Sequence, residues 1–209
     1  MILSIFRTLA LHQVLSVIST NVLCRDLYTE KERNTLVRNV LCTFYCAYFS
    51  TLGIQGNAPD ALRNTFLGYM ASDSLVVLRT PQFNTWENWL HHGMTGLLLW
   101  YTALDSTRNY ELFQLAGVGE ISTFFLCFAD TFRNVLPLRE RYPEWNHWSR
   151  IAFVLSFFAV RVGWWSYVLL VKTSPPPYLP VAISYYGILG LQYYWGGLLL
   201  RQIKKLLWK

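Results

Sequence analysis

Apolar residues fall into seven runs along the chain: about Ile2–Cys24, Thr35–Ile54, Leu62–Leu78, Leu90–Leu104, Leu112–Asp130, Ile151–Val171 and Val181–Leu200. Short polar stretches such as RDLYTEKER and NVLPLRERYPEWNHWSR separate them. Each run approaches the roughly 17 to 25 residues that a helix needs to cross a bilayer, and none alternates with the period of a strand. The pattern predicts an all-α, polytopic membrane protein with about seven transmembrane helices. All eight prolines, Pro59, Pro81, Pro137, Pro143, Pro175, Pro176, Pro177 and Pro180, fall between the runs. That placement supports the boundaries, because proline inside a helix removes a donor and clashes with the preceding turn. The first run carries Arg7, His12, Gln13 and Asn21, so it reads as a span or as a signal anchor. The expected organisation is an N-terminal helix and cytosolic link over residues 1–34, one membrane domain over 35–205 and a cytosolic tail over 206–209.

The polar residues inside these runs are the candidates for function. An ionisable side chain costs roughly 2.5 to 3.5 kcal/mol at the centre of a membrane helix, so it faces a bundle interior or a cavity. His91 and His92 open the fourth run, Glu120 sits in the middle of the fifth, Asp73 lies in the third and Arg161 in the sixth. At helical spacing His91, Thr95 and Thr102 share one face, and His92, Gly96 and Ala103 share another about 100° round. One histidine is therefore expected to face a cavity and the other a neighbouring helix. Glu120, Thr123, Cys127 and Thr131 form a second polar stripe, and Tyr69, Asp73 and Thr80 a third. Gln192, in LGLQYYWGG, is expected to bond between helices or to touch lipid.

Composition narrows the class. The chain is 53% hydrophobic and 14% charged, against roughly a quarter charged in soluble proteins. The net charge of +6 does not point to nucleic acid, because the basic residues sit between apolar runs and form no basic face interleaved with exposed aromatics. Cys24, Cys42, Cys46 and Cys127 lie in or at the ends of runs with no CxxC pair, so neither a disulfide framework nor a metal site is expected. Cys42 and Cys46 share a helix face and read as small hydrophobes. Trp86, Trp89, Trp145, Trp148 and Trp208 stand at run ends, as in an interfacial belt.

Orientation follows from the lysines and arginines. Arg7, Arg63, Arg108 and Lys172 fall on one side and Arg161 within a span, while all the others fall on the side of the first link. The positive-inside rule then makes that side and the C-terminus cytosolic, with His91 and His92 near the cytosolic interface.

A neutral imidazole in such a bundle can accept a proton from a lipid amine or hydroxyl, or attack a thioester, because it titrates near neutrality. Asp73 or Glu120 would orient it, and Arg161 would pair with one of these carboxylates. Cytosolic placement suits acyl-CoA as co-substrate, with no other cofactor. The expected partners are membrane lipids and an acyl chain, and no oligomeric state follows.

In order along the chain, LGYMASDSLVVL around Asp73, LHHGMTGLLLW, GEISTFFLCFAD, FFAVRVGWW around Arg161 and LQYYWGGLLLRQIKK together resemble the TLC domain family, which includes ceramide synthases, TRAM proteins and small TLC-domain-only proteins. The resemblance covers about Thr35 to Lys205. It implies a six-helix barrel-like bundle with an internal lipid or acyl-chain tunnel, an additional N-terminal helix, and residence in the endoplasmic reticulum. The histidine pair that is catalytic in the synthases maps onto His91 and His92. The synthases carry a histidine and paired aspartates where this chain has Gly119, Glu120 and Thr123, so GEISTFFLC resembles the small proteins more and speaks against N-acylation of sphingoid bases. A histidine often seen on the family's first conserved helix has no counterpart in this sequence, the nearest position being around Tyr45. These features leave two functional classes open: a lipid acyltransferase with His91, His92, Asp73 and Glu120 as its machinery and Thr95, Thr123, Cys127, Arg161 and Gln192 along the lipid, or a lipid sensor or cargo receptor without turnover.

Overall fold

A computed structural model describes residues 5, 7–8, 10–15, 27–56, 59–102 and 109–207. Among these residues all regular structure is helical. Most of the first run, with Cys24 and Arg25, lies outside them, as do Ala103, Leu104, Arg108, Trp208 and Lys209.

Helix α1 spans Glu30–Gln55 and begins at a capping box. Thr29 Oγ1 accepts from the Glu32 N–H at 3.3 Å, and the Glu32 carboxylate accepts the Thr29 N–H at 2.9 Å. These bonds satisfy amide donors that the first helical turn leaves free. It ends at Gly56, whose φ of 65° is left-handed and whose N–H closes on Leu52 O. Helix α2 is Pro59–Arg79, α3 is Trp86–Tyr101, α4 is Asn109–Asn134, α5 is Leu136–Arg141 and α7 is Leu179–Leu207. Between α5 and α7 one continuous rod, α6, runs over Pro143–Lys172.

The stretch NVLPLRERYPEWNHWSR, expected as a polar loop, is therefore mostly helical. Pro137 lies in the first turn of α5 and Pro143 in that of α6, where the absent N–H would have had no helical partner. Proline at these positions starts a helix.

Helix α4 packs against α1 and α6, α3 against α2 and α7, α1 against α2, and α6 against α7. The α1–α4 crossing is set by Gly53 and Gly117: a Cβ on Gly117 would stand 2.6 Å from Phe49 O, and one on Gly53 would stand 2.7 Å from Gly117 Cα. Only backbone fits there, as is common where membrane helices approach closely. Two buried clusters flank α4. One joins Phe49, Phe66, Tyr69 and Met70 with Cys42, Cys46 and Cys127; the other joins Met94, Leu98, Leu115, Trp165, Tyr185 and Ile188.

The distribution of polarity is inverted relative to a water-soluble domain. Asp73, Glu120, Arg161 and Gln192 are buried, while Phe44, Ile54, Leu155, Leu170, Leu179 and Ile183 are exposed on the outside. Gln114–Asn134 and Pro143–Lys172 are long and apolar enough to cross a membrane.

Candidate functional site

His91 and His92 stand in the second turn of α3, whose start is fixed by Thr85 accepting the Asn88 N–H and by Asn88 Nδ2 donating to Phe83 O at 2.6 Å. Adjacent helical residues diverge by about 100°, so the two rings meet different surroundings.

His92 turns towards α2. Its Nε2 lies 3.4 Å from Asp73 Oδ2 and its Nδ1 lies 2.9 Å from Ser74 Oγ. A neutral ring satisfies both contacts when Nε2–H faces Asp73 and the Ser74 hydroxyl, which also lies 2.8 Å from Met70 O, turns its one proton to Nδ1. Asp73 is itself clamped: Arg38 Nε donates to Oδ1 at 2.9 Å and Arg38 NH2 to Oδ2 at 2.8 Å. The guanidinium lies 4.3 Å from the Phe83 ring centroid. A fork-on-fork pair of this kind aligns two bonds at once and neutralises the buried carboxylate.

His91 turns inward. Its ring meets Trp195 edge-on with centroids 5.6 Å apart, and it borders a narrow cavity of about 30 Å³. Phe66, Thr95, Leu98, Leu99, Leu112, Leu115, Ala116, Glu120, Trp165 and Ile188 complete the wall. Among the described residues His91 Nδ1 and Thr95 Oγ1 are buried at this wall without a hydrogen-bond partner.

Glu120 borders the same cavity but is not bonded to a histidine. Arg161 NH2 donates to its Oε1 at 3.2 Å, and the Cys46 thiol lies 3.2 Å from its Oε2. Arg161 also donates to Ser122 Oγ at 2.9 Å and to Thr123 Oγ1 at 2.6 Å, with its Cζ 5.0 Å from the Trp165 ring centroid. Trp165 donates to Leu115 O at 3.0 Å, and its ring lies where a Cβ on Gly119 would be 2.8 Å away. Arg161 belongs to a π-helical segment, Phe157–Trp164. Such widened turns are rare and re-aim side chains; nothing in the apolar pattern of the sixth run announces one.

Of the expected lipid-lining residues, Thr95 is in the cavity wall, whereas Thr123 and Arg161 bond each other beside it. Cys127 lies away from it, in a thiol cluster with Cys42 and Cys46, whose sulfurs are 3.6 Å apart. Thr80 falls after the end of α2 in extended backbone, and Thr102 caps α3 with its hydroxyl donated to Leu99 O. Gln192 is fully buried, and neither amide atom is paired among the described residues.

Two participants were not singled out from the sequence. A buried Asp73 requires a cation, and Arg38 is one of several arginines in the chain that qualify. His12 is buried between the rings of Tyr45 and Tyr69, with Nδ1 2.5 Å from Ser72 Oγ, while Gln13 Nε2 donates to Ser72 O at 3.0 Å. The N-terminal segment is thereby docked on α2, one residue from Asp73.

A family model of the TLC domain matches residues 56–201. The chain belongs to the TLC domain family. No curated protein and no solved structure matches it. Within this TLC domain lie the histidine pair, Asp73, Glu120, Arg161 and Gln192, whereas Arg38 and His12 come from the part of the chain before residue 56. The family, the apolar exterior and the long apolar helices make this an integral membrane protein associated with membrane lipids, of the class that acts in lipid metabolism and homeostasis.

Proposed function

We propose that this TLC domain protein transfers an acyl chain from acyl-CoA to a membrane lipid, with His91 as the proton acceptor. One observation carries the reading: His91 lines a cavity and its buried Nδ1 has no partner among the described residues, while the adjacent His92 is held by Asp73 and Ser74. A base must reach the proton it removes, and His91 is the histidine whose nitrogen is free to do so. His92, Asp73 and Arg38 then form the support that fixes the α3 start against α2. Glu120, locked by Arg161, supplies a polar wall. The reacting group occupies the cavity, against Leu98, Leu115, Trp165 and Ile188.

In this reading the six helices α1, α4, α6, α7, α3 and α2 close into a barrel-like bundle, supported by the order in which neighbours pack. With the N-terminal run they cross the membrane seven times, in the endoplasmic reticulum, with the C-terminus cytosolic.

The test is intact mass spectrometry and lipid analysis on purified protein given isotope-labelled acyl-CoA and mixed membrane lipids. A labelled lipid or covalent adduct that disappears in His91→Ala supports acyl transfer. Lipid that stays bound and unreacted in both proteins sinks it. That outcome favours a lipid sensor or cargo receptor, a reading supported by the fact that both buried carboxylates are already paired with arginines.

A further inference from the structure

Thr95 and Gln192 are buried polar side chains with no hydrogen-bond partner among the described residues. Thr95 is 7% exposed and borders the cavity, its hydroxyl unpartnered among the described residues. Gln192 is 0% exposed, and both its amide nitrogen and its amide oxygen are unpartnered among the described residues. On α7 it lies one turn from Ile188, which borders the cavity, and three residues from Trp195, whose ring meets His91. These residues share a helix face. A carboxamide buried without hydrogen bonds is unfavourable, and an apolar side chain of similar size would fill the place without that penalty. The combination points to a ligand group that completes the missing bonds.

The charges around the cavity decide which group. Asp73 receives two bonds from Arg38, and Glu120 receives one from Arg161 and a contact from Cys46. Among the described residues both carboxylates at the site, Asp73 and Glu120, are paired with an arginine. A lipid amine is protonated near neutral pH, and burying it here would require a further anion. A hydroxyl is neutral and both donates and accepts. It can donate to His91 Nδ1 and accept from the Thr95 hydroxyl or the Gln192 amide, which are the atoms left over.

We infer that the site selects a lipid hydroxyl over a lipid amine, with Thr95 and Gln192 as positioning residues that hold the hydroxyl against His91. This rests on the acyl-transfer reading above and names its acceptor. In the step, the acceptor oxygen attacks the thioester carbonyl carbon of acyl-CoA, forming the ester C–O bond as the C–S bond breaks. The hydroxyl proton passes to His91 Nδ1 and then to the departing thiolate, which leaves as the free thiol of coenzyme A.

The experiment uses the full chain in lipid nanodiscs with isotope-labelled oleoyl-CoA and either hexadecanol or hexadecylamine, which differ only in the reacting group. Labelled ester is expected to form at least about tenfold faster than labelled amide, because a site built to bond a hydroxyl discriminates against a group that mismatches it. Thr95→Val and Gln192→Met are expected to remove that preference, Thr95→Ser to retain it, and Gln192→Met to leave the ligand-free protein at least as heat-stable as wild type. Amide formed as fast as ester, or a preference that survives both Thr95→Val and Gln192→Met, overturns the inference. So does a Gln192→Met protein that melts well below wild type, which would make Gln192 a structural bond. If neither product forms, the acyl-transfer reading fails, and retention of the two amphiphiles by native mass spectrometry decides the rest. Tighter hexadecanol, abolished in Gln192→Met, sustains the hydroxyl-selective site; equal retention, as a resident water bonding the same atoms would give, overturns it.

Discussion

Arg38 and Asp73 form a two-point ion pair across α1 and α2, with donor–acceptor distances of 2.9 and 2.8 Å, and His92 rests on the same carboxylate. The pair joins residues on either side of Gly56, so it closes the first helical hairpin. Removing one partner leaves a buried charge alone, which costs about 3 to 5 kcal/mol, whereas an apolar pair of similar volume is often neutral. Arg38→Met and Asp73→Leu are each expected to lower the melting temperature sharply in detergent, and the double substitution to recover much of the loss. A double variant as unstable as the sum of the singles would show that the two side chains act independently.

Arg161 is bound more elaborately than a charge pair alone requires, since Glu120, Ser122, Thr123 and the Trp165 ring all engage it. Lysine keeps the charge but lacks the planar fork and cannot bond several partners in these directions. Arg161→Lys is expected to lose about 1 to 3 kcal/mol of stability, the range for a broken charged hydrogen bond. Arg161→Met, which isolates Glu120, should lose more. Glu120→Gln in the Arg161→Met background should restore part of it, measured by thermal unfolding.

The glycines separate into two sorts. At Gly117 a side chain would meet the backbone of α1, while at Gly96 a Cβ has nothing within 4 Å. Gly117→Val is expected to prevent the α1–α4 approach and abolish recovery of folded protein. Gly96→Ala should be neutral or stabilising by up to about 1 kcal/mol through helix propensity. Size-exclusion profiles and melting curves of the two variants check this contrast.

Outside the apolar runs Glu32 accepts the Thr29 N–H and also the Leu136 N–H at 2.9 Å, tying the start of α1 to the start of α5. The Thr29 backbone bond, the larger effect, holds its carboxyl below the ordinary value of 4.5. A depressed carboxylate contributes stability that is full above the unfolded value and is lost as pH falls through the folded one. Melting temperature should therefore fall more steeply below about pH 4.5 in wild type than in Glu32→Gln. Thr29→Ala, which removes the cap, should cost about 1 kcal/mol at neutral pH. Parallel pH slopes for wild type and Glu32→Gln would remove the carboxylate from this role.

The positions of the helical runs, the apolar exterior and the identity of the buried ionisable residues were legible in the chain, because each depends on local periodicity or on the expense of placing one polar group among apolar neighbours. Even the divergence of His91 and His92 follows from helix geometry. Pairing does not. Asp73 needs a cation, but Arg38, Arg79 and Arg161 each met the need; the hairpin at Gly56 gives it Arg38, and Glu120 receives Arg161 instead. The thiol cluster joins Cys127 to a helix more than 80 residues away, and the π-helical turns lie where the Arg161 guanidinium reaches Ser122 and Thr123 on another helix. Partner choice rests on distances between segments remote in sequence, so folding alone reveals that His92 is held by Asp73 and Ser74 while His91 Nδ1 has no hydrogen-bond partner among the described residues.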